Sequence, residues 1–120
     1  MREQLSLPGM DDYILNSERL RRIEVGRVRD LLANWGYAPV NAELCFGWDQ
    51  GQFLLTTLYR WARTERGYML YEKACGIARV GNGLPFNEHG RSVKIIMYRK
   101  AMKGILIEAY KEAYGEGFPE

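Results

Sequence analysis

Between Ser92 and Gly115 the chain places apolar residues at intervals of three, four, three and four, at Ile95, Tyr98, Met102, Ile105 and Ala109. An α-helix turns once in about 3.6 residues, so this spacing gathers all five side chains into one seam that must pack on another helix. Ser92 opens the period. Gly115 and Gly117 close it, with Pro119 beyond, because glycine adopts the left-handed backbone that ends a helix and proline cannot extend one. A long helix is expected over residues 92–114.

Its partners are sought upstream. Leu20, Ile23, Val28, Leu31 and Trp35 recur at helical spacing between Asn16 or Ser17 and Gly36 and predict a helix over 17–35, with Arg22 and Arg29 on the opposite side. Glu24 and Arg27 interrupt that apolar face. Leu54, Leu55, Leu58, Trp61 and Ala62 share one side of a helical wheel over 50–64 while Arg60 and Arg63 take the other. Leu70, Tyr71, Ala74, Ile77 and Ala78 mark a third, shorter helix over 68–79. The fold class read from these patterns is all-α, a small bundle of about four helices. The alternative is α+β with a hairpin at 43–58, since Asp49-Gln50-Gly51 separates two apolar runs. Residues 1–12, with Pro8-Gly9 and Asp11-Asp12, lack any period and are expected to form a mobile arm ahead of one helical domain at 13–115, followed by a tail at 116–120.

At 120 residues and 47% apolar content the chain can build a core without a metal or disulfide staple. Cys45 and Cys75 lack ligand or redox spacing and are read as small core residues. No secretory signal and no apolar run of membrane-spanning length occurs, so a cytoplasmic location is expected.

Chemistry-bearing motifs are sparse. His89 beside Glu88 is a weak general-base pair, because neighbouring side chains seldom point at each other and no nucleophile stands at a suggestive spacing. Gly81-Asn82-Gly83 with Arg91 offers a nucleotide or phosphate loop over 81–91, yet it matches neither glycine-rich phosphate motif. No enzyme, cofactor or metal is therefore assigned.

Binding is the better theme. The formal charge of +2 is too small to imply nucleic acid by itself, but its distribution is uneven. Residues 91–103 hold Arg91, Lys94, Arg99, Lys100 and Lys103 without an acid, whereas 104–120 hold Glu108, Glu112, Glu116 and Glu120 against Lys111. Arg60, Arg63 and Arg66 interleave with aromatic residues between Tyr59 and Tyr68, a composition that suits phosphate contact and base stacking, although Trp61 itself is placed in the core. These two basic strips suggest a non-enzymatic regulator contacting nucleic acid or the transcription apparatus. The final helix also has a second apolar face, Val93, Ile96, Met97 and Ile107, which one small domain has little means to cover. That face suggests an adaptor or inhibitor of another protein, or a homo-oligomer. Gly104 in mid-helix would be explained by close approach of another helix.

Overall fold

The computed structural model describes residues 10–35, 48–83 and 89–119, with side chains described for most of them. They form four α-helices, α1 (Met10–Asn34), α2 (Trp48–Trp61), α3 (Glu65–Asn82) and α4 (Arg91–Tyr114). There is no strand among the described residues, and α2 occupies the region of the alternative hairpin from residue 48 onward. Residues 43–47 and 1–9 lie outside the described ones. No helix is long and apolar enough to cross a membrane among the described residues.

Cross-helix contacts fix the topology. Glu24 meets Arg60 and Arg27 meets Phe53, so α1 and α2 are antiparallel. Tyr59 stacks edge-on to Tyr71 across a link of only Ala62, Arg63 and Thr64, which forces α3 back along α2. Arg66 reaches Glu108 and Glu112, making α3 and α4 antiparallel, and Arg21 on Tyr110 with Arg99 on Trp35 does the same for α1 and α4. The result is an up-down-up-down bundle.

The seam on α4 is buried as expected at Ile95, Met102, Ile105 and Ala109, with Tyr98 half-buried. It meets Leu54, Leu58 and Trp61 from α2 and Leu70, Ala74 and Ala78 from α3 in one core. On α1 the buried stripe differs from the expected one. Val28 and Trp35 are inside, but Leu20 and Ile23 are exposed while Glu24 and Val25 are buried. The buried Glu24 carboxylate sets the rotation of the helix, because its bonds to Arg60 and Trp61 fix which side faces in.

Helix ends account for the remaining differences. α1 begins at Met10, seven residues ahead of the start expected from the apolar period. α3 begins early because Thr64 caps it, its hydroxyl accepting from the Gly67 amide at 3.0 Å, and α2 accordingly stops at Trp61. α4 ends at Gly115 with φ of 73°, whose amide donates to the Lys111 carbonyl at 2.7 Å. The following residues fold back, and Phe118 packs edge-on against Tyr110 at 5.4 Å.

Gly104 is exposed on α4, and a Cβ added there meets nothing within 4 Å. Close approach within the monomer therefore does not explain it. Gly104→Ala is expected to stabilise the chain by about 0.5–1 kcal/mol through the smaller backbone entropy of alanine. Urea titration of the two proteins checks this, and a lower midpoint for the alanine variant would contradict it.

Candidate protein interface

Val93, Ile96, Met97 and Lys100 stand at positions i, i+3, i+4 and i+7 of α4, the spacing of one helical face. The bundle does not cover it. Val93 is 61% exposed, Ile96 44% and Met97 60%, and Lys100 and Gly104 continue the open face. Lys103 is exposed on its flank, and Lys94 is half-buried. Ile107 is not brought to the same patch. It lies ten residues beyond Met97, about 15 Å along the axis, half-buried in a cleft of about 260 Å³ shared with Arg29, Leu32, Ala33, Lys103 and Phe118.

The arginines of the second predicted strip are engaged within the fold. Arg60 Nε donates to Glu24 Oε2 at 2.5 Å, and Trp61 Nε1 donates to Glu24 Oε1 at 3.2 Å. The Arg63 guanidinium sits over the Tyr114 ring at 4.7 Å. Arg66 Nη2 donates to Glu108 at 2.7 Å and its Nε pairs with Glu112 at 3.5 Å. Arg99, expected on the surface of α4, is only 8% exposed, with Nη1 donating to the Trp35 carbonyl at 3.4 Å. Arg91 starts α4, and its side chain lies outside the described residues. Arg60, Arg63 and Arg66 remain exposed while making these contacts, and the exposed lysines of α4 stand beside the apolar face.

Sequence reasoning did not single out Arg21. Its Nη2 and Nε donate to the Tyr110 hydroxyl at 2.6 and 3.2 Å, it pairs with Glu116, and its guanidinium lies 4.0 Å from the Tyr114 ring centre. The hydrogen bond to Tyr110 is the main influence holding the guanidinium's pKa above its ordinary value, partial burial opposes it, and Glu116 adds to it. Burial raises the Tyr114 phenol, and Arg63 opposes that rise. The Tyr71 phenol is raised mainly by its hydrogen bond to Cys75, which is half-buried on α3.

No family model matches this chain, and comparison with curated proteins and with solved structures found no match. The functional reading rests on the geometry alone. His89 is exposed in the turn before α4, Glu88 lies outside the described residues, and no group of three His, Cys, Asp or Glu side chains capable of holding a metal occurs among those described. Gly81 and Asn82, read as a phosphate turn, belong to the last turn of α3, and the Gly83 amide is spent on the Arg79 and Val80 carbonyls at 3.2 Å each.

Proposed function

We propose that this chain is a non-enzymatic adaptor or inhibitor that binds an acidic amphipathic helix of another protein on the exposed face of α4. The observation that carries it is the open row of Val93, Ile96 and Met97 on a helix whose opposite side is core. Contiguous apolar groups of this kind mark binding surfaces, and a row at helical spacing fits the apolar side of a partner helix.

Charge selects the partner. Residues 91–107 contain no acid, and Lys100 and Lys103 are exposed beside the apolar row. Two copies meeting through this face would bring those lysines together without a carboxylate between them. A partner with glutamate or aspartate along its rim relieves that repulsion and gains from the field.

Met97→Glu is expected to abolish capture of a partner from nuclease-treated lysate of the source cells, and Lys100→Glu to weaken it about tenfold or more, while far-UV circular dichroism stays unchanged. The captured protein must contain an acidic amphipathic helix whose synthetic peptide competes. Binding untouched by Met97→Glu overturns the reading. Loss of the captured material on nuclease treatment would replace it with contact to nucleic acid through Lys100 and Lys103.

A further inference from the structure

A second surface, independent of the α4 face, lies between α1 and α2. Arg27, Gln52, Phe53, Thr56 and Arg60 line an open cleft of about 380 Å³, at the lower end of the range of small-molecule sites. We propose that this cleft binds the phosphate group of a small phosphorylated ligand, with Arg27 and Arg60 as its two cationic walls.

The side chains lining the cleft are donors or apolar. Two guanidiniums, an amide and a hydroxyl surround it, and none of the described lining residues is acidic. Glu24, which pairs with the cleft's Arg60, is 2% exposed and is spent on Arg60 and Trp61. That pairing consumes one edge of the Arg60 guanidinium and fixes its position, so an anion meets a donor already ordered by the fold.

Arg27 is the more telling residue. Its guanidinium lies 4.0 Å from the Phe53 ring centre and has no carboxylate partner among the described residues. Stacking uses the flat face of the group and leaves its in-plane N–H donors for an oxyanion, the geometry in which arginine recognises phosphate. A purely structural role accounts for Arg60 through Glu24 but gives the in-plane donors of Arg27 no partner among the described residues. Arg27 and Arg60, with the Glu24 carboxylate that pairs with Arg60 counted in, carry one net positive charge, suited to a ligand carrying one or two negative charges.

Isothermal titration in low-salt, phosphate-free buffer tests this with three probes: pyrophosphate, adenosine 5′-monophosphate and a short single-stranded oligonucleotide. Saturable binding of at least one probe is expected, weakened about tenfold or more by Arg27→Gln. Arg22→Gln, on an exposed residue of α1 that does not line the cleft, should leave it unchanged. A response to either small probe supports a small ligand, and a response to the oligonucleotide alone places the same phosphate chemistry on a polynucleotide backbone. No saturable binding by any probe, or equal weakening by Arg27→Gln and Arg22→Gln, overturns the proposal. Should Arg27→Gln fail to fold, Thr56→Val at an exposed position of α2 takes its place, with a weakened titration as the supporting result and an unchanged one as the overturning result. Met97→Glu should not alter this binding, which separates failure here from failure of the α4 interface.

Discussion

Arg60→Met is expected to lower stability by about 3–5 kcal/mol, whereas Glu24→Gln costs about 1–3 kcal/mol. The asymmetry follows from where each partner sits. The Glu24 side chain is 3% exposed and the Arg60 side chain 40%. Removing the arginine leaves a carboxylate inside the protein with only the Trp61 indole N–H as donor, and a buried charge without its counter-ion is expensive. Removing the negative charge instead lets Arg60 turn toward water, while the glutamine oxygen can still accept from Trp61. Combining Arg60→Met with Glu24→Leu should recover much of the loss, because an apolar pair of similar size replaces the ion pair without a desolvated charge. Guanidinium titration of the four proteins checks all of this. A double variant no more stable than Arg60→Met alone would show that the loss is not the cost of an unpaired buried carboxylate.

Trp61→Ala is the other large effect, about 3–5 kcal/mol, and against a typical total of 5–15 kcal/mol it removes a major share of the stability. Trp61 is 1% exposed and stands edge-on to Tyr110 at 5.3 Å and to Tyr114 at 6.3 Å. Alanine leaves a cavity bounded by α1, α2 and α4 together and removes a hydrogen bond from Glu24 as well. The thermal midpoint should fall by roughly 10–20 °C for a chain of this size. A shift below about 4 °C would mean that the side chain contributes little beyond one ordinary surface contact.

The helices were legible wherever a single period governed a segment. The stripes of Leu54 and Leu58, of Leu70, Ala74 and Ala78, and of Ile95, Met102, Ile105 and Ala109 all face the core. So was the uncovered face at Val93, Ile96 and Met97, because the residues of one helix cannot all point inward. Ile107 was harder to place, since the cleft it lines is shared with Leu32 of α1 and with Phe118 in a tail whose return path depends on the backbone at Gly115. Partnerships between charges were not legible. Nothing local to Glu24 indicates that it bonds to residues 36 and 37 positions away, and without that knowledge Leu20 and Ile23 look like better core candidates. The arginines illustrate the same limit. Arg60, Arg66 and Arg99 read as a cationic surface because sequence reports charge and not whether folding spends it on Glu24, on Glu108 or on the Trp35 carbonyl.

The link of Ala62, Arg63 and Thr64 between α2 and α3 has a kinetic consequence. Joining helices through so few residues requires little loop-closure entropy, so this hairpin is formed early on the route to the native state, whereas α1 must search across a longer stretch of chain to bring Glu24 to Arg60. Interactions absent from the rate-limiting ensemble act on the escape rate. Damage to the Glu24–Arg60 contact should therefore accelerate unfolding and leave the refolding limb of a chevron plot nearly where it was.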